Sequence, residues 1–165
     1  MRTILAAAAA TLVALPVLAQ ATKPDPGTTQ FVDKAATSDM FEIASSNLAL
    51  ERGNDATKAF AQQMVTDHTK TTSDIKGLID AGKVAAEPPT GMTTAQNAKL
   101  KKLEALKGPA FDKQYGADQI AAHKEAVALF KGYSKSGKNL ELKTWTAQTE
   151  PALEHHLEMA RALKG

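Results

Sequence analysis

Four stretches of this chain carry apolar residues at helical spacing, and each places an ionisable side chain on its apolar face: Glu42, His68, His123 and His156. Amphipathic stripes of this kind must bury against one another. Packing four of them face to face brings the four polar groups into a shared interior. A buried polar group without a partner is costly, so such a chain has to pair these groups, hydrate them or bind something between them.

Projected at about 100° per residue, the first helix runs from about Phe31 to Arg52 and ends at the glycine signal Gly53-Asn54. Val32, Ala35, Ala36, Ile43, Ala49 and Leu50 share its apolar arc with Asp39, Glu42 and Ser46. The second helix starts near Asp55 and stops at Gly82. It turns Phe60, Ala61, Met64, Ile75, Leu78 and Ile79 inward, with His68 and Thr71 inside the arc and Asp67 at its edge. Another long helix starts at Pro109, a residue suited to the first helical position, and continues to Ser136-Gly137. Phe111, Tyr115, Ala122, Ala126, Leu129, Phe130 and Tyr133 lie on its arc around Gln119, which Asp112 and His123 flank. The last helix extends from about Asn139 towards Lys164 with Leu142, Trp145, Ala152, Leu153, Leu157, Ala160 and Leu163 inward. His156 sits centrally on that face, and His155 points about 100° away. Pro151 removes a backbone donor inside this helix.

Between Gly82 and Gly108, Glu87-Pro88-Pro89-Thr90-Gly91 interrupts any helix. Thr93 to Lys107 then reads as a short lysine-rich helix with Leu100, Leu103 and Leu106 as its large apolar contacts. A connection of this length crosses from one end of a bundle to the other, whereas Gly53 and Gly137 mark tight turns. The expectation is an all-α four-helix bundle: two antiparallel hairpins joined by a long central crossover, with the second and third long helices parallel. No segment alternates as a strand would, and no short repeat stands out.

The amino-terminal segment is of another kind. Arg2 precedes an alanine-rich apolar run to Ala19, and Ala19-Gln20-Ala21 offers a small-x-small cleavage pattern. This reads as a secretory signal peptide over residues 1–21, cut after Ala19 or Ala21. Residues 22–30 form a tether through Pro24-Asp25-Pro26-Gly27, and residues 31–165 form the helical bundle. An uncleaved anchor is the alternative, disfavoured by Pro16 and by a run poorer in strongly apolar residues than a span of roughly 20 requires. No later segment could span a bilayer, so the mature product is expected to be exported and soluble, in the periplasm or cell envelope. The chain has no cysteine, which leaves neither disulfides nor thiolate ligands. A formal net charge of +2 gives no sign of a nucleic-acid surface.

Phe41-Glu42-Ile43, the run Phe60-Ala61-Gln62-Gln63-Met64-Val65-Thr66-Asp67-His68-Thr69-Lys70, Phe111-Asp112-Lys113-Gln114-Tyr115 with Gln119 and His123, and Leu153-Glu154-His155-His156-Leu157 together resemble an exported bacterial family of unknown function. Its predicted fold is a ferritin-like helical bundle. The resemblance implies a periplasmic or envelope location and a four-helix fold with a long crossover. It implies no activity.

A di-iron centre needs a glutamate from each of two helices and Glu-x-x-His from each of the other two. Glu42 matches one such glutamate. Val65 and Leu153 stand where His68 and His156 would require theirs, and Gln119 and His123 offer no carboxylate. The donor set therefore argues against di-iron. Three readings of the interior stay open. In the first, Glu42, the imidazoles, Gln119, Asp112 and Tyr115 form a purely structural hydrogen-bonded layer. In the second, Glu42, His68, His123 and His156 hold a single metal ion, zinc or, with the thioethers of Met64 and Met159, copper. Asp39, Met64, Asp67, Asp112, Tyr115 and Gln119 would support that site. The third is an envelope interaction or stress-related module that binds a protein partner; Phe41 and Leu48 could form its outward contact patch, although lateral packing against a neighbouring helix or the crossover is the favoured placement for both. The sequence carries no phosphate loop, nucleophile elbow or His-Glu-x-x-His helix, so a non-enzymatic protein is expected. Asp67 and His68, as helical neighbours, diverge too far to form a dyad with each other. Asp39 or Asp112 reaching an imidazole across the bundle is the better geometry.

Overall fold

Four of the five described helices begin where a side chain satisfies backbone N–H groups that the helix itself leaves open. In a computed structural model of the protein, which describes residues 24–163, the Asp25 carboxylate accepts from the Thr28 amide at 3.0 Å and Pro26 opens α1, Pro26–Arg52. Asn54 caps α2, Asp55–Asp80, by accepting from Thr57 at 2.9 Å. Thr93 and Gln96 form a reciprocal capping box at the start of α3, Thr94–Glu104. Asn139 accepts from Leu142 at 2.8 Å ahead of α5, Leu140–Ala162. The remaining helix, α4, spans Gly108–Ser136, and Gly108 enters it at φ +56°, a backbone angle that favours glycine. Gly82 closes α2 in the same way at φ +67°. Among the described residues there are five helices and no strand. The signal-peptide and cleavage expectations fall outside the described residues.

Two contacts orient the helices. The Asn54 amide donates to Asp112 Oδ1 at 3.0 Å, which puts the start of α2 beside the start of α4. At the far end Asn139 Nδ2 donates to the Lys83 carbonyl at 2.7 Å, joining the start of α5 to the exit of α2. The helices α2 and α4 therefore run in the same direction, and residues 81–107, with α3, travel from one end to the other. The α1–α2 turn is tight at Gly53, where a Cβ would come within 2.8 Å of the Ala49 carbonyl oxygen. Side by side, α1 packs on α2 and α4 on α5, α1 also meets α4, α2 meets α5, and α3 lies against α1 and α4.

The interior divides into three levels. Phe31, Val32, Ile75, Phe130, Leu142 and Leu153 belong to the apolar cluster at one end. Phe60, Met64, Leu103, Phe111, Tyr115 and Ala160 belong to the cluster at the other. The polar residues of the four faces lie between them.

Two expectations need correction. The helix α1 begins at Pro26, five residues before Phe31, and Thr28 is buried with its Oγ1 2.7 Å from Tyr133 Oη. Ala152 faces solvent instead of the core. Of the two placements open for Phe41 and Leu48, lateral packing is the one found: α3 covers Phe41, with Lys99 Nζ 5.9 Å from its ring centre, and Leu48 packs partly buried against an apolar cluster.

Candidate metal centre

Midway along the long helices, α1 contributes Asp39 and Glu42, α2 Asp67 and His68, α4 Gln119 and His123, and α5 His156. All but the half-exposed Asp67 are buried. The three imidazoles face one another, with ring centres 5.6 Å apart for His68 and His123, 5.8 Å for His68 and His156, and 5.4 Å for His123 and His156. His155 is exposed, as its position on the helix requires.

One nitrogen of each ring is anchored. His68 Nδ1 donates to Asp39 Oδ1 at 2.8 Å, His123 Nδ1 to the Gln119 carbonyl at 3.0 Å, and His156 Nε2 to Asp67 Oδ2 at 2.8 Å. Carboxylate and carbonyl oxygens only accept, so the anchored nitrogens carry the hydrogens. In the neutral rings His68 Nε2, His123 Nε2 and His156 Nδ1 are left with bare lone pairs. None of these three atoms has a hydrogen-bond partner among the described residues. A nitrogen from each ring lies within 4.8 Å of those of the other two. Anchoring one imidazole nitrogen on an acceptor while the other stays free is how proteins orient metal-binding histidines.

Neither carboxylate oxygen of Glu42 has a hydrogen-bond partner among the described residues. Burial pushes its carboxyl up to about 7, with the His68 charge and the nearby Gln119 amide holding the rise back. The Gln119 Nε2 donates to Ser45 Oγ at 3.3 Å, and its Oε1 is unpartnered. Burial pulls His68 down, but the Asp39 hydrogen bond and the negative charges of Glu42, Asp39 and Asp67 outweigh it and leave the ring above its usual value. His123 falls to about 3 through burial and the His68 charge. Burial also lowers His156, against the pull of its Asp67 hydrogen bond.

The other residues singled out from the sequence separate here. Tyr115 Oη pairs with Ser46 Oγ at 2.8 Å, and Met64 packs among Phe60, Phe111 and Tyr115. Asp112 lies at the end of the helices capping Asn54, and so reaches no imidazole. Asp67, placed by helical phase at the edge of its arc, instead reaches across to His156 on α5. Thr71 and Thr72 donate to Asp39 Oδ2 at 2.8 and 3.1 Å. Their positions three and four residues after His68, on the same helical face, were the available signal for Thr72, which the apolar arc did not include. A cleft of about 860 Å³ beside Arg52, Pro109 and Lys113 lies at the end of the helices, and no histidine lines it.

Comparison with known proteins agrees with the sequence resemblance. Residues 14–163 match the model of a domain of unknown function, DUF4142, and the chain belongs to that family. No curated protein matches the sequence. In fold the chain is similar to the crystal structure of a DUF305 protein from Streptomyces coelicolor whose name carries a provisional secreted assignment. That likeness covers 83% of this chain and 89% of the other, with a TM-score of 0.69 at 17% identity.

Proposed function

Taking membership of the DUF4142 family as the premise, we propose that this protein is an exported, ferritin-like four-helix bundle that holds one transition-metal ion between His68, His123 and His156, with Glu42 beside them. The observation that carries the reading is the set of three buried, unpartnered imidazole nitrogens, each on a ring oriented by an acceptor at its other nitrogen. A purely structural layer would be expected to pair these atoms, because leaving a buried acceptor empty costs about 1–3 kcal/mol each.

Three neutral imidazoles with an open fourth position suit zinc. With bonds near 2.0–2.1 Å, a tetrahedral ion would hold nitrogens about 3.4 Å apart, so separations now within 4.8 Å would shorten by up to about 1.4 Å and each nitrogen would move by less. That is within the reach of side-chain adjustment. Glu42, whose oxygens have no partner among the described residues, lies outside the trio of mutually close donors and would complete the site through a water held at the fourth position. Copper is the second choice, because Met64 and Met159 pack with the apolar cluster at one end of the helices. The donors do not suit di-iron, since Leu153 is spent in the opposite apolar cluster where a carboxylate would be needed.

Export is supported by the leader pattern of residues 1–21 and by the provisional secreted assignment of the DUF305 neighbour. No helix among the described residues is long and apolar enough to cross a membrane. The domain scheme follows: signal peptide, a tether shortened by the early start of α1, and one helical domain. The contact pattern of the four long helices and the end-to-end run of residues 81–107 support the ferritin-like assignment.

The deciding experiment is metal analysis of protein purified without an affinity tag, then titration of the metal-stripped form with zinc and with copper. One ion per chain is expected. Binding is lost in His68→Ala and His156→Ala and kept in His155→Ala. If neither metal binds or raises the Tm, the hydrogen-bonded layer replaces this account and a protein-partner role gains.

A further inference from the structure

The two aspartates that anchor imidazoles are built differently. Asp39 is closed: its side chain is 8% exposed, Oδ1 is taken by His68, and Oδ2 accepts from both Thr71 and Thr72. Asp67 is open. Its side chain is 31% exposed, both of its hydrogen bonds, from His156 and from Gln63, fall on Oδ2, and Oδ1 accepts none among the described residues.

The helices around them differ in the same sense. The crossover helix α3 lies over α1 and α4, on one flank of the molecule. Asp67 on α2 and His156 on α5 sit across from each other at the opposite seam, where α2 and α5 touch more sparsely than either hairpin pair. Here one hydrogen bond leads from a solvent-facing carboxylate to a ring whose other nitrogen is free and faces the interior.

Resting on the metal reading above, we propose that Asp67 is an outer capture site and the α2–α5 seam the inlet for a hydrated divalent cation on its way to the three histidines. The free Oδ1 meets the ion in water, where a hard, hydrated cation favours a carboxylate oxygen. Swinging the Asp67 carboxylate outward then breaks only its bonds to His156 and Gln63 and releases the His156 ring. The ion loses water in steps as imidazole nitrogens replace it. Asp39 has no comparable part, because moving it would break three hydrogen bonds in a sealed position.

The test is stopped-flow mixing of metal-stripped protein with zinc ion alone, followed by competition with a chromophoric chelator. Asp67→Asn keeps the size of the side chain and an acceptor for His156 but removes the charge. It is expected to slow association roughly tenfold, with the difference shrinking as salt rises. Asp39→Asn is expected to leave association unchanged and to speed dissociation. Gln63→Glu, which adds a charge beside Asp67, is expected to speed association. Unaltered association in Asp67→Asn, or equal slowing in Asp39→Asn, overturns the inlet while zinc uptake itself stands. A wild-type protein that takes up no zinc overturns the metal reading and the inlet with it.

Discussion

At either end of the helices the buried hydroxyls of the aromatic clusters are paired, Tyr133 with Thr28 at 2.7 Å and Tyr115 with Ser46 at 2.8 Å. In the layer between, six side-chain atoms of Glu42, His68, Gln119, His123 and His156 are buried with no partner among the described residues. The ends follow the ordinary rule that buried polar groups are satisfied, and their apolar neighbours pack around them. The middle breaks that rule on four helices at one level. Stability alone would favour filling this level with leucine and phenylalanine, as above and below it. Lone pairs kept free at such a cost are what the proposed ion would occupy, and sites of function are where such local inconsistencies concentrate.

The largest expected effect breaks an end. Phe111 is fully buried, stacked with Tyr115 at 6.0 Å between ring centres and 9° between planes. Phe111→Ala should destabilise the metal-free protein by about 3–5 kcal/mol, because the cavity cannot refill. Chemical denaturation measures it. A loss under about 1 kcal/mol would mean that this end is loosely packed and that the contrast with the middle is weaker than drawn.

Acid separates the regions next. His123 is held at about 3 and His156 below its ordinary value, so both stay neutral in the fold, while the unfolded chain protonates them near 6.5. Their contribution is complete above about pH 6.5 and is lost as the pH falls through their lowered folded-state values, about 3 for His123. Glu42 and His68 have raised values, so their contribution is present at low pH and lost as pH rises. For Glu42 that window runs from 4.5 to about 7. Between neutrality and pH 4.5 these opposed changes offset one another in part. Below 4.5 Glu42 has no more to add and His123 still opposes protonation. Metal-free protein should therefore lose stability most steeply between about pH 4.5 and 3. Denaturant midpoints against pH should show that steep limb flattened in His123→Leu; an identical limb in the variant would locate the acid sensitivity outside this layer.

How much of this the sequence announced depended on what helical phase can and cannot encode. The inward placement of Glu42, His68, His123 and His156 follows from phase alone, and glycines with caps bounded most of the helices. The start of α1 was missed because Pro24-Asp25-Pro26-Gly27 reads as a tether. Asp25 as a cap with Pro26 at the first position is also a helix start, but Gly27 to Gln30 offers no apolar periodicity to reveal it. Asp112 has nearly the phase of Gln119 but lies seven residues earlier, about 10 Å down the axis, where it meets Asn54. The bond between Asp67 and His156 depends on how α2 and α5 rotate against each other. One chain's periodicity does not encode that rotation, whereas packing does.

The smallest expected effects differ in sign between the regions. Tyr115→Phe removes one partner of a satisfied pair and leaves Ser46 Oγ buried without it, which should cost about 1 kcal/mol. Glu42→Leu removes a buried carboxyl that has no partner and restores an apolar side chain of similar size between the two clusters. It should stabilise the metal-free protein by about 1 kcal/mol, since replacing unsatisfied buried charge-bearing groups with packed apolar ones is commonly neutral or favourable. Paired melts of the two variants, with and without zinc, carry the comparison further. Glu42→Leu should gain in the metal-free melt and lose part of the zinc-induced rise, whereas Tyr115→Phe should fall by the same amount in both. A Glu42→Leu protein less stable than wild type without metal would mean that the carboxyl already has a partner in solution, and the layer would then be a closed network like the pairs at the ends.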